Sequence, residues 1–248
     1  MESLAAQGAD VRGMFDRVAG RYDAANRVMS AGVDVLWRRK AIRWLARDLG
    51  DAPVILDLGA GTLDGAVEIV RRIPGARVAG ADFAREMLRV GRAKLFKMNG
   101  KTNGKTNGEL PPHAAIATHA ADGHRLPYRA AAFDGAFSAF CVRNLADLPV
   151  ALRELRRVVR LGGRVAILEF FRPEKPRFFF DKIYNGRVLP LIGWAVTGDR
   201  AAYRYLPNSI ERFCRRAEFV GLLADAGFAH VDAQPLFPSG VASLVTAS

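Results

Sequence analysis

Apolar positions along this chain change period several times, and each change marks an element. Val54, Ile55 and Leu56, followed by Leu58, form a short near-continuous apolar run, the pattern of a strand buried on both faces. A glycine turn follows at Gly59 and Gly61, and Ala66 to Arg72 then has helical spacing with Val67, Ile69 and Val70 inward. The alternation recurs downstream. Arg77 to Ala81 reads as a second strand ending at Asp82, and Arg85 to Lys97 as a helix with Met87, Leu88, Ala93 and Leu95 inward. Ala114 to Ala120, Phe133 to Phe140 and Arg164 to Phe170 read as strands three to five, the last with Glu169 at its end. Between strands four and five, Asp147 caps a helix with Pro149 in its first turn. Its face is Leu148, Leu152, Leu155, Val158 and Val159, and Gly162-Gly163 stops it. A helix from Ala217 to Ala226 is stopped by Gly227. Phe228 to Leu236 and Val241 to Thr246 read as two strands around Pro238-Ser239-Gly240. This rhythm predicts an α/β fold with a mostly parallel sheet and helices on both faces.

Three stretches stand apart. At the N-terminus, Met1 to Asp10 is small and polar, and Val11, Met14, Phe15 and Val18 then have helical spacing. Tyr22, Asp23 and Asn26 follow, and on spacing alone they suit a helix-to-helix connection better than the cover of a pocket. From Asp34 to about Asp48 runs a basic helix. Leu36, Trp37, Ala41, Trp44 and Leu45 form its apolar side, and Arg38, Arg39, Lys40, Arg43 and Arg47 its polar side, either solvated or facing a membrane or acidic partner. Residues 1–50 thus make an N-terminal helical cap. The second stretch, Asn99 to Gly108, repeats a polar four-residue unit and reads as a flexible insertion. The third, Arg172 to Leu206, is rich in aromatic and basic residues and reads as a substrate lid at the ligand end of the sheet. No linker divides the 248 residues, so a single domain is expected.

Composition changes this picture little. Half the residues are apolar and a quarter charged, which is ordinary for a globular chain, but the net charge of +12 is not. It suits an anionic membrane surface, nucleic acid or simply an arginine-rich proteome. Cys141 and Cys214 make no metal pattern. With no signal-like start and no bilayer-long apolar run, the expected compartment is the cytoplasm, with peripheral membrane contact left open.

The chemistry concentrates at the first glycine turn. A strand, a glycine turn and a helix open a nucleotide site, but Asp64 stands where a dinucleotide fingerprint has its third glycine. A carboxylate there would repel a pyrophosphate. A cationic ligand without phosphate suits Asp57 and Asp64 better, and S-adenosyl-L-methionine is one. Asp82, about twenty residues past the glycines, is placed to take ribose hydroxyls. Asp122-Gly123 after strand three can accept from an adenine amino group. Arg143-Asn144 lies beyond strand four, where open α/β sheets bind ligands.

These residues carry a resemblance. The chain resembles the UbiE-type C-methyltransferases of ubiquinone and menaquinone biosynthesis, within the class I S-adenosylmethionine enzymes, from about Phe15 to Val245. It does so at Tyr22-Asp23, Asn26, Ser30, Gly32, Leu36 and Trp37, and at Leu56-Asp57-Leu58 with Gly61-Thr62 and Asp64. Further matches are Leu126-Pro127-Tyr128, Phe133-Asp134, Arg143-Asn144, Gly162-Gly163, Glu169, Leu189-Pro190 and Tyr203 to Leu206. It departs where the family has Met (Ala25), His (Asp34), Gly (Leu63 and Cys141) or Ser (Phe171), and where Arg160-Leu161 replaces Lys-Pro. The resemblance implies a class I, Rossmann-like methyltransferase with a seven-stranded sheet, its last strand antiparallel. It implies S-adenosyl-L-methionine as methyl donor and a prenylated quinol as acceptor. Cofactor positions would be Asp57, Gly59, Gly61, Thr62, Asp64, Asp82, Phe83, Asp122, Gly123 and Ala139. Arg143, Asn144 and Tyr22 would be the catalytic set. Rival readings are a methyltransferase of another aromatic or lipid-like acceptor, or a non-catalytic module binding S-adenosylmethionine or nucleic acid. No nucleic acid partner is expected on the leading reading, and a homodimer is compatible with it.

Overall fold

The computed structural model describes residues 11–99, 110, 115–174, 200–237 and 242–248. Met1–Asp10, nearly all of the repeat insertion, most of the 172–206 stretch and the Pro238-Ser239-Gly240 turn lie outside the described residues.

Seven strands form one sheet in the order β3-β2-β1-β4-β5-β7-β6. They are β1 (Val54–Leu58), β2 (Arg77–Asp82), β3 (Ala115–Ala120), β4 (Phe133–Ala139), β5 (Val159–Phe170), β6 (Asp232–Pro235) and β7 (Ala242–Ala247). β1 to β5 pair in parallel, and β7 runs antiparallel between β5 and β6. The strand order reverses between β2-β1 and β4, and such a switch point opens a crevice at the carboxyl ends of the strands.

Alternate strand residues feed two cores, as the pleat requires. Ile55, Phe137, Ala166 and Leu168 meet Trp37, Ala41, Ile42 and Leu45 of α3 (Val33–Leu45) and Ala66, Ile69 and Val70 of α4 (Asp64–Arg72). On the other face, Leu56, Ala136, Val165 and Ile167 meet Leu152, Leu155 and Val158 of α6 (Leu148–Val158). Phe219 and Leu223 of a later helix, Arg216–Asp225, complete that layer. Asp147 caps α6 by accepting from the Val150 amide, with Pro149 in the first turn.

The N-terminal helices α1 (residues 11–18) and α2 (Tyr22–Met29) lie over the carboxyl end of the sheet. Met14, Val18 and Ala25 pack with Tyr205, while Ala19 packs with Ala84 and Met87 at the start of α5 (Arg85–Asn99). Tyr205 belongs to α7 (Arg200–Arg212), and Arg216–Asp225 is α8.

The structure corrects several expectations. Tyr22, Asp23 and Asn26 are not a connection; they form helix α2 itself. Leu36 is exposed, and Ile42 takes the inward place on α3. On α5, Gly91 rather than Ala93 faces in, one turn beyond Met87 and Leu88. Gly162-Gly163 does not stop α6. The helix ends at Val158 and β5 begins at Val159, with a bulge before pairing resumes at Gly135 and Arg164. Gly162 has φ 67°, and a Cβ at Gly163 would sit 2.8 Å from the Asp134 carbonyl. Two glycines let the backbone fold over itself there. β6 is also shorter than its apolar run suggested.

Candidate functional site

The cleft at the switch point has a narrow chamber of about 70 Å³ and a wider one of about 660 Å³. Gly59, Asp82, Phe83, Cys141 and Asn144 line both, so the two join. Asp57, Gly61, Thr62, Asp64, Ala139 and Tyr22 line the narrow chamber, and Asp122 and Gly123 the wide one. Of the residues singled out in the sequence, Arg143 alone lines neither.

The glycine turn is fixed from two sides. The Gly59 and Ala60 amides donate to the Ala81 carbonyl, at 2.8 and 3.1 Å. Gly59 has φ 72°, and a Cβ there would collide with the Cys141 sulfur. Asp82 accepts from the Gly61 and Ala84 amides, each at 2.8 Å, so one carboxylate ties the β1–α4 turn to the β2–α5 turn. Burial pushes its carboxyl up to about 6 despite those bonds. Leu63, where the family usually has Gly, sits left-handed at φ 68° with its side chain fully buried. Gly80 and Gly91 leave room for it, since a Cβ on either would stand 3.0 Å or less from that side chain.

Asp57 projects from the middle of β1. A Cβ at Gly65 would stand 2.7 Å from its Oδ2, and that oxygen is buried with no hydrogen-bond partner. Burial pushes this carboxyl up to about 7. Asp64 is in a different state. Burial raises its carboxyl, but Lys94, Arg38 and Arg27 outweigh that and hold it below the ordinary range. Of the two acids expected to meet a cationic ligand, Asp64 is already matched by the chain and Asp57 is not. Asp23 joins this network, accepting from Thr62 and from Lys94 at 2.9 Å.

After β4, Val142–Asn144 form one short turn whose Asn144 lines both chambers. Asn144 accepts from the Tyr205 hydroxyl at 2.9 Å. Behind it, Arg143 donates to Glu169 at 2.6 Å, to the Phe140 carbonyl at 2.8 Å and to Ser209 at 3.2 Å. Glu169 is fully buried and also accepts the Phe170 amide at 2.8 Å. Tyr22 has its hydroxyl pKa raised by burial, with Asn26 and the charges of Arg143 and Arg38 opposing. In the wide chamber, His124 faces Asp122 through Nδ1 at 2.6 Å and accepts the Asp147 amide at Nε2, 3.0 Å away. Burial raises the Asp122 carboxyl, but the His124 amide and ring outweigh it and hold it low.

Residues 3–248 match the model of the ubiE/COQ5 methyltransferase family. The chain belongs to that family. It is 41% identical over 225 residues to the ubiquinone/menaquinone biosynthesis C-methyltransferase UbiE of Syntrophotalea carbinolica, covering 90% of this chain and 88% of the relative. It is 42% identical over 217 residues to the demethylmenaquinone methyltransferase of Thermus thermophilus, covering 87% and 91%. A SAM-dependent methyltransferase from Aquifex aeolicus has the same fold, with TM-score 0.56 at 17% identity, over 83% of this chain and 88% of that one. As a member of this family the chain is a methyltransferase that uses S-adenosylmethionine.

The cleft fits that cofactor on its own chemistry. The unpartnered Asp57 oxygen suits a cation, Asp82 at the junction suits ribose hydroxyls, and Asp122 in the wide chamber can accept from a purine amino group. Sequence reasoning missed Arg38, Lys94, His124 and Ser209, and gave Asp23 and Tyr205 no role of their own in the site. Arg38 was read as outward-facing because amphipathic reasoning sends every charge on a surface helix away from the core. The clue was its position one turn after Asp34.

Proposed function

We propose that this methyltransferase transfers the methyl group of S-adenosylmethionine to a ring carbon of a prenylated quinol, a demethylmenaquinol or ubiquinol precursor, in quinone biosynthesis. The observation that carries this reading is that Tyr22 and Asn144 line the acid-lined chamber, with Asn144 held by the Tyr205 hydroxyl. The names borne by the relatives above agree with it.

Bound S-adenosylmethionine supplies an electrophilic methyl group on a sulfonium. A phenolic ring carbon is a weak nucleophile until a neighbouring hydroxyl loses its proton. The chain therefore has to orient the ring, favour the ionised hydroxyl and exclude bulk water. Asn144 and Tyr22 orient the ring. Arg143 is no base, because a guanidinium stays protonated. Its charge reaches Tyr22 from behind the wall, although Glu169 shares that charge. Its role in this proposal is to hold the 142–144 turn and to favour the phenolate by its field, the proton leaving to water.

The prenyl tail resides in a bilayer, so the proposal includes peripheral contact with an anionic surface. Arg38 cannot serve there because it is turned into the cleft, and Arg39 is paired with Glu68. Exposed Leu36, Lys40 and Arg43 remain on α3, and Phe178, Phe179 and Trp194 lie outside the described residues. Liposome flotation should show binding that rises with anionic lipid and falls with salt.

The function itself is tested by expressing the chain in a strain that lacks its quinone C-methyltransferase and identifying the quinones by mass. Restored methylated quinone supports the reading. Continued accumulation of the demethyl form, with the protein present and folded, overturns it.

A further inference from the structure

The narrow chamber is lined by five carboxylates, Asp23, Asp34, Asp57, Asp64 and Asp82, and by one basic side chain among the described residues, Arg38. Arg38 comes from α3, outside the glycine turn, and its side chain is only 11% exposed. One terminal nitrogen donates to Asp34 at 3.1 Å and the other reaches Asp64 at 3.5 Å. A guanidinium has five N–H groups, so these two bonds leave donors over. Ser30 donates to Asp34 at 2.7 Å and fixes the acid that holds Arg38.

The charges around it cancel. Asp23, Asp34 and Asp64 face Arg27, Arg38 and Lys94, three acids against three bases. A charge-balanced cluster that presents one guanidinium with donors to spare and, at Asp57, one unpartnered carboxylate oxygen is complementary to a zwitterion. The donor's amino-acid end is one: an ammonium and a carboxylate on the same carbon.

We propose that Arg38 binds the carboxylate of the methionine portion of S-adenosylmethionine, with Asp57 taking the ammonium, so that α3 sets the direction of the amino-acid end. This rests on the cofactor assignment above. Arg38 is a binding residue here, joined to ligand by a charge-assisted bidentate contact of the kind guanidinium groups make with carboxylates.

The test compares two ligands by titration calorimetry. S-adenosylhomocysteine carries the amino-acid end, and 5′-methylthioadenosine has the same nucleoside and sulfur without it. Arg38→Gln should weaken S-adenosylhomocysteine by about thirtyfold, the scale of a lost charged hydrogen bond, and leave methylthioadenosine within about threefold. Arg38→Lys should recover part of the loss. Because Arg38→Gln strands the buried Asp34, the same titrations are run on Asp34→Asn/Arg38→Gln, where no charge is stranded. Equal weakening of both ligands would make Arg38 a brace between α3 and α4 and overturn the proposal. Unchanged binding of both would also overturn it. Parental protein that binds neither ligand would remove the cofactor assignment as well, which separates the two failures.

Discussion

Asp57 is a carboxylate in the middle of a buried strand with one oxygen facing no donor. Unfolded, it titrates in the ordinary carboxylate range; folded, near 7. Between those values the folded protein keeps a proton that the unfolded chain has lost, so this group's contribution to stability falls as pH rises through the window. Its ionised form is the one that attracts a cation. Asp57→Asn should therefore raise the melting temperature of the ligand-free protein most at pH 8 and clearly less at pH 5, while weakening S-adenosylmethionine at pH 8. Melting curves at both pH values, with and without ligand, check this. A variant no more stable at pH 8 than the parent would show that the carboxylate has a partner in solution.

Arg143 poses the opposite problem, because it is bonded to Glu169, Ser209 and the Phe140 carbonyl. Removing it leaves Glu169 charged and completely buried. Breaking one side of a buried pair costs about 3–5 kcal/mol, which for a chain of this size lowers the melting temperature by roughly 10 °C. Arg143→Ala should show that loss in thermal melts. Arg143→Lys keeps a charge and should fold, yet lose about a hundredfold in turnover, since a point charge lacks the planar fork. Its residual turnover should climb at high pH, where the quinol ionises unaided. Parental turnover by Arg143→Lys at neutral pH would leave Arg143 a packing residue.

At the scale of elements, the N-terminus of α6 is held by a side chain from the loop after β3. His124 Nε2 accepts the Asp147 amide, and its Nδ1 faces Asp122. His124→Ala leaves that amide without its acceptor and should cost about 1 kcal/mol, a melting shift of a few degrees. His124→Gln, able to reach the amide, should recover most of it; equal melting for both variants would show the contact to be unimportant. The elements themselves were largely legible in the sequence, because β1 and β4 are short apolar runs and α6 has a cap, a first-turn proline and a clean face. The bulge in β5 was not, because Gly162-Gly163 reads equally as a helix stop. Nor was α2, whose polar residues face a cleft; spacing alone cannot tell a ligand-facing side from a solvent-facing one. The acids that line the cleft were legible from the glycine turn, whereas Arg38 and Glu169 acquire their partners only through the fold.

At the scale of the whole molecule, the net charge of +12 does not gather at the described cleft. The narrow chamber carries more acids than bases on its wall, and the network around Arg38 is balanced. No helix among the described residues is long and apolar enough to cross a membrane. The molecule is thus a two-faced α/β sheet whose switch point is roofed by α1 and α2, with a cleft lined by acids, Tyr22 and Asn144, the last held by Tyr205. Joining donor and acceptor at that cleft is the central claim. Purified protein, incubated with S-adenosylmethionine bearing a trideuterated methyl group and reduced demethylmenaquinone, tests it most directly. One labelled methyl on a ring carbon, located by mass fragmentation and nuclear magnetic resonance, is the expected result. Label on a quinol oxygen, or no transfer by protein that binds the donor, would contradict it.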